Sequence, residues 1–192
     1  MEILHESPDN LAVYASVPIA LKVHRVLDVT PVATGEGFVV AERALSTCAL
    51  KDYDSVAGGS PLGWRARFDL SGWTLLAANV DGRRAGSAAV VLRDAGIDLL
   101  DGRDDLALLW DIRVVPAMRR HGVGAALLHE AEIVARDAGA RWLKVETQDI
   151  NLPACRFYLR TGFTLREVHR NAYRELPDET QLLWYKKLAG SS

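Results

Sequence analysis

VVPAMRRHGVGAALL, Val114 to Leu128, is the stretch on which the reading of this chain turns. A proline, two adjacent arginines and two glycines one residue apart separate an apolar run from a segment rich in alanine and leucine. Arg119 and Arg120, followed by Gly122 and Gly124, stand where a strand would end and a helix begin. Helix geometry leaves the first backbone N–H groups there without internal partners, and the helix dipole adds partial positive charge at the same spot. A side chain at either glycine would hold an anion away from those amides or forbid the turn's backbone angles. A pyrophosphate is the natural occupant. A bare strand-to-helix turn is the plain alternative, because such glycines are common in tight connections.

Other glycine motifs fit worse. A dinucleotide fingerprint needs GxGxxG, and here Gly122 and Gly124 are followed by AALL, without the third glycine. No GK[ST] precedes the helix, so a P-loop is not indicated. HGVG is similar to an esterase oxyanion loop, yet the chain contains no GxSxG to supply the nucleophile.

Working outward, LALLWDIRVV (Leu106–Val115) is a nearly continuous apolar run that ends at Pro116, as suits a strand covered on both faces. After it, Val123, Leu127, Ala131 and Val134 recur at helical spacing, Glu130, Arg136 and Asp137 are left for solvent, and Gly139 marks the stop. RWLKVET reads as a strand with Leu143 and Val145 on one face. NLPACRFYLRTGF reads as a short helix with Pro153 in its first turn, Ala154, Phe157 and Tyr158 on one side, and Gly162 after its end. FTLREVHRNAYRE and TQLLWYKKL are plausible closing strands. Upstream, WTLLAANV and RAGSAAVVL flank Asp81 and Gly82, a strong hairpin signal. DAGIDLLDGRDD is an acidic loop, AGGSPLG (Ala57–Gly63) a flexible one, and Leu21 to Val29 alternates as a strand. Residues 1–72 carry little else that can be read. The order β, β, β, helix, β, helix, β, β predicts a mixed sheet with helices on the later crossovers, an α/β or α+β arrangement of layers.

At 192 residues with 49% hydrophobic residues, the chain is expected to form one domain over residues 1–192, with a core region at 73–188. A net charge of −2 and the lack of any block of like charges argue against a nucleic acid or an anionic membrane as the main partner. MEILHESPDN has neither the basic start nor the apolar core of a signal peptide, and no apolar run approaches the ~20 residues that span a bilayer, which predicts a cytoplasmic location. Cys48 and Cys155 are far apart, so neither a disulfide framework nor a thiolate zinc site is expected. Cys155, within ACRFY, reads as a buried small apolar residue rather than a nucleophile. The five histidines are scattered, HEAEI lacks the second His of HExxH, and DLLDGRDD does not follow the calcium-loop pattern, so no metal is expected.

Arg119, Gly122 and Gly124, preceded by IRVVP, resemble the [RQ]xxGxG/A signature of the GNAT superfamily of acetyl-CoA-dependent N-acetyltransferases. About thirty residues on, VETQDINLPACRFYLRTGF resembles the family's next strand and helix, with Asn151, Ala154, Tyr158, Gly162 and Phe163 in matching places. WDIRV, VETQDIN, ACRFY and TQLLWYKKL are similar to the streptothricin acetyltransferase subgroup. The resemblance covers Trp73 to Leu188 and implies a GNAT-like mixed, splayed β-sheet with flanking helices.

It also implies a site. Backbone groups of Ile112, Arg113 and Val114 would hold pantetheine as an added strand, with an N–H near Val114 facing the thioester oxygen. The amides of Arg120, His121, Gly122, Val123, Gly124 and Ala125 would bind pyrophosphate, with Arg119 adding charge. Tyr158 would protonate the departing thiolate, since a phenol of unperturbed pKa ~10 carries its proton at neutral pH. Its other reading is a packed aromatic on an amphipathic helix. Asn151 would touch the cofactor chain, or cap the helix that Pro153 begins, or both. Glu146 would take the amine proton and Asp111 is its rival; each is equally readable as a carboxylate paired with a neighbouring cation. Three functions follow: an N-acetyltransferase for a small amine of the streptothricin type, one for protein N-termini or lysines, and an acyl-CoA-binding module without turnover. The expected partners are acetyl-CoA and an amine acceptor. Many relatives of this fold pair into homodimers, and no residue here decides whether this chain does.

Overall fold

The computed structural model describes residues 1–33, 35–56, 58–93 and 96–189. Ala57, in the expected glycine-rich loop, and Asp94 and Ala95, in the acidic one, lie outside the described residues. In chain order the elements are β1 (Glu2–Glu6), α1 (Leu11–Ala15), β2 (Leu21–Pro31), β3 (Phe38–Lys51), α2 (Trp64–Arg67), β4 (Trp73–Val80), β5 (Arg83–Val91), β6 (Leu106–Val114), α3 (Val123–Asp137), β7 (Trp142–Gln148), α4 (Leu152–Arg160), β8 (Thr164–His169) and β9 (Gln181–Lys187). Contacts divide the chain into two compact units. One takes Met1–Ala20, Asp52–Leu143 and the chain from Leu188; the other takes Leu21–Lys51 and Lys144–Lys187.

In the first unit the strands run β1-β4-β5-β6, each pair antiparallel. Asp81 and Gly82 close the β4–β5 hairpin with φ of 49° and 71°, the left-handed pair that a two-residue turn between twisted strands requires. Leu75–Ala78, Ala88–Val91 and Leu106–Leu109 are all buried, which is why these strands read as apolar runs rather than alternations. Helix α3 covers one face of this sheet. Its buried stripe is Val123, Leu127, Leu128, Ala131, Glu132 and Ala135, so the inward face reaches Ala135, and Val134 is only half-buried. The helix comes close because Gly86 has no side chain: a Cβ there would stand 2.7 Å from the Arg113 carbonyl and about 3 Å from Leu127 and Val123. A second cluster joins Leu11, Tyr14, Trp64, Leu70 and Trp73 to Leu75, Ala89, Val91 and Leu108. Trp64, Trp73, Trp110 and Phe68 pack there at centroid separations of 5.2–6.4 Å.

Register in β6 jumps between Ala89↔Asp111 and Val90↔Leu109, which leaves Trp110 as the extra residue of a β-bulge. The bulge bends the strand immediately before Asp111–Val114.

In the second unit β2 and β3 form an antiparallel ribbon, and β7, β9 and β8 lie side by side in that order. The side of α4 that is buried is Leu152, Cys155 and Tyr158, while Ala154 and Phe157 are half-buried; the inward stripe is rotated from the expected Ala154, Phe157 and Tyr158. Leu143 and Val145 are buried as expected, but Lys144 between them is buried too, its ammonium 5.1 Å from the Tyr185 ring centroid. No helix among the described residues is long and apolar enough to cross a membrane.

Candidate active site

The residues singled out from the sequence fall into two groups. Asp111, Ile112, Arg113 and Val114, with Arg119, Arg120, His121, Gly122, Val123, Gly124 and Ala125, lie in the first unit; Glu146, Asn151 and Tyr158 lie in the second.

The first group is built from the end of β6 and the start of α3. Pro116 opens a single 3-10 turn, Pro116–Met118, because it fixes φ and offers no N–H. Arg119 is extended again, Arg120 is left-handed at φ 67° and Gly122 at φ 84°. The left-handed angle is strained for arginine, and such strain recurs at binding loops. Gly122 caps α3 without any side-chain cap, and the first intrahelical bond is Ala126 N–H to the Gly122 carbonyl at 3.0 Å. The amides of Val123, Gly124 and Ala125 precede it. A Cβ on Gly122 would meet nothing within 4 Å, so open space faces this turn. Gly124 has no left-handed angle and forms part of the first helical turn. Arg119 donates to the Val114 carbonyl (3.1 Å) and to Ala20 (3.3 Å), tying the turn back to β6, and the His121 ring meets the Arg119 carbonyl at 2.9 Å.

Arg113 and Asp111 form a buried pair. The Arg113 side chain is fully buried and bonds both Asp111 oxygens (2.9 and 2.6 Å), both Asp54 oxygens (3.0 and 3.2 Å) and the Val17 carbonyl (3.1 Å). Tyr14 donates its hydroxyl to Asp111 at 2.8 Å, and its ring lies 5.3 Å from the guanidinium. Burial works against the Arg113 charge, but the Asp111 carboxylate, with Tyr14 and Asp54, outweighs it and raises the guanidinium's pKa. Burial, with Asp111 alongside, pushes the Tyr14 phenol well above its usual value. Both oxygens of Asp111 are therefore engaged.

Glu146 is held differently. It lies half-buried on β7, and burial raises its carboxyl above the usual value, against the pull of hydrogen bonds from Tyr173 and Gln181 and the charge of Lys144. The Tyr173 hydroxyl donates to Oε1, and Gln148 Nε2 approaches the same oxygen at 3.4 Å. A carboxylate raised toward neutrality by its surroundings is the form in which acids and bases are tuned for proton transfer. Nearby, Asn151 caps α4 by accepting from the Ala154 amide at 3.3 Å, the capping role open to it from the sequence. Tyr158 is 2% exposed, with Phe157 and Phe163 edge-on at 5.2 Å. Cys155 is buried beside Thr147, and burial lifts its thiol to about 11, so it is a core residue as expected.

Tyr14, Asp54, Tyr173, Gln148 and Gln181 were not visible as site residues. Gln148 alone had a signal, since it shares a strand face with Glu146 two residues away. Among the described residues no three His, Cys, Asp or Glu side chains gather as a metal site.

The family described as "Acetyltransferase (GNAT) family" matches residues 41–163. Streptothricin acetyltransferase A of Bacillus subtilis (strain 168) is 41% identical over 83 residues, 42% of this chain and 48% of that protein, so the match spans about half of its length. The streptothricin acetyltransferase of Streptomyces lavendulae is 27% identical over 81% of this chain and 78% of its own. Among solved structures, nourseothricin acetyltransferase superposes with a TM-score of 0.75 at 26% identity, covering 98% of both chains.

Proposed function

The chain belongs to the acetyltransferase (GNAT) family, and from that membership we propose that it transfers the acetyl group of acetyl-CoA to a primary amine of a small cationic antibiotic of the streptothricin class. The acceptor class is supported by the similarity to the streptothricin acetyltransferases of B. subtilis and S. lavendulae and to nourseothricin acetyltransferase. The observation that carries the reading is the open, cap-free helix start at Gly122 in the first unit; taken by itself, the second unit holds in Glu146 a carboxyl that burial raises above its usual pKa. The first fits an anionic cofactor tail and the second fits an amine that must lose a proton.

Acetyl-CoA, when bound, supplies an acetyl thioester. The amides at the start of α3, with Arg119 and Arg120, bind its pyrophosphate. Backbone groups of Ile112, Arg113 and Val114, beyond the Trp110 bulge, align the pantetheine, and the Arg113–Asp111–Asp54 network keeps that strand end rigid. Glu146 accepts the proton of the attacking amine, and the Tyr158 hydroxyl returns one to the sulfur. Asp111 is set aside as the base because Arg113 and Tyr14 occupy it. The reading takes residues 1–192 as a single acetyltransferase domain that acts in the cytoplasm.

Tyr158→Phe and Gly122→Val separate the two halves of this scheme. The first should lower kcat at least tenfold with the Kd for acetyl-CoA unchanged; the second should weaken acetyl-CoA binding first, because valine is strained at φ 84° and fills the open space. Unchanged turnover in the first, or unchanged binding in the second, removes that residue from its role.

A further inference from the structure

Glu146 does not stand alone on its strand. A chain of donors runs from Gln148 Nε2 to the Tyr173 oxygen at 3.0 Å, and from the Tyr173 hydroxyl to Glu146 Oε1. Tyr173 comes from the connection between β8 and β9, a segment otherwise rich in exposed polar residues, and is half-buried where it meets Glu146. Gln181, the first residue of β9, also bonds the carboxyl. The charged and titratable groups acting on Glu146 are thus Lys144 on its own strand and Tyr173 from the facing loop.

We propose that Tyr173 is a positioning residue for the base: its hydroxyl, oriented by Gln148, fixes one oxygen of Glu146 and favours the ionised carboxylate. This rests on Glu146 being the base in the function proposed above. A hydroxyl that donates to a carboxylate stabilises only the charged form, because a protonated acid accepts such a bond less well. Burial drives the same carboxyl toward neutrality. The phenol therefore limits how far that drive goes and keeps Glu146 competent to accept a proton at neutral pH. A purely structural tyrosine that anchors the β8–β9 connection would affect stability without moving the titration of the base.

The test is the pH dependence of kcat/KM for the amine. Tyr173→Phe removes one oxygen and keeps the ring, so folding and the KM for acetyl-CoA should be retained. Its acidic limb should move up by about one pH unit, the worth of one hydrogen bond to a charged acceptor. Activity at the low-pH end should then fall about tenfold while the high-pH plateau survives. Gln148→Leu, which leaves the phenol without its orienting amide, should shift the limb in the same direction by less. Glu146→Gln is the control and should abolish the limb. If Glu146→Gln abolishes it but Tyr173→Phe leaves it in place, the positioning role is overturned while the base stands. If the limb persists in Glu146→Gln, the base assignment falls and the role of Tyr173 with it.

Discussion

Asp111→Ala separates a structural carboxylate from a catalytic one. In the intact protein Asp111 neutralises Arg113, whose side chain is fully buried, and accepts the hydroxyl of buried Tyr14. Removing one member of a buried ion pair costs about 3–5 kcal/mol, because the other charge is left desolvated. Asp54 stays in contact with Arg113 and is 24% exposed, so it compensates in part, and the lower end, about 3 kcal/mol, is expected. For a chain of 192 residues each kcal/mol moves Tm by about 2–4 °C, which gives a fall of roughly 6–12 °C. Thermal unfolding followed by circular dichroism reads this directly. Turnover per folded molecule, measured well below the transition, should stay within about tenfold, whereas loss of a general base costs about 10²–10⁴. Replacing both charges together, as Asp111→Leu with Arg113→Met, should recover most of the lost stability. An unchanged Tm with turnover abolished would refute the structural assignment and make Asp111 the base.

Two further outcomes follow from the second unit. Cys155, buried with its thiol lifted to about 11, should resist alkylation at neutral pH in the native protein while exposed Cys48 reacts; labelling of both at equal rates, read by mass spectrometry, would contradict this. Glu146 is raised in the folded state above its usual 4.5, so the stability it contributes is full below pH 4.5 and is lost as pH rises through the folded value. Glu146→Gln escapes that loss, and its Tm should gain on that of the unsubstituted protein between pH 4.5 and 7; a constant difference across the range would be inconsistent with the raised carboxyl.

The sequence was most legible where local chemistry dictates geometry. Asp81-Gly82 forced a hairpin, Pro116 stopped β6, and Gly122 and Gly139, both at positive φ, bounded α3. Asn151 and Pro153 likewise started α4. Residues 1–72 were obscure for physical reasons. The ribbon strand β3 is exposed or half-buried along its whole length, so no buried face imposes alternation on FVVAERALSTCALK, and the ribbon breaks register near Val23 and Arg25. Helices α1 and α2 are five and four residues long, too short for periodicity, and are held by Tyr14 and Trp64 in the aromatic cluster. At the site, strand patterns placed Glu146 and Asp111, but pairing distinguishes them. Asp111 is occupied by Arg113, two residues on in the same strand, and by Tyr14 from α1, nearly a hundred residues away. Glu146 is shaped by Tyr173 from a loop with no motif. Such contacts are tertiary and leave no local trace.

Release of free CoA thiol from acetyl-CoA, measured with streptothricin, with simple primary amines and with basic peptides as acceptors, tests the proposed acetyl transfer most directly. The account predicts thiol release with streptothricin, stoichiometric with an acetyl mass gain on that antibiotic, and its loss in Glu146→Gln. Thiol release with peptides alone, or none with any amine while acetyl-CoA still binds, would contradict it.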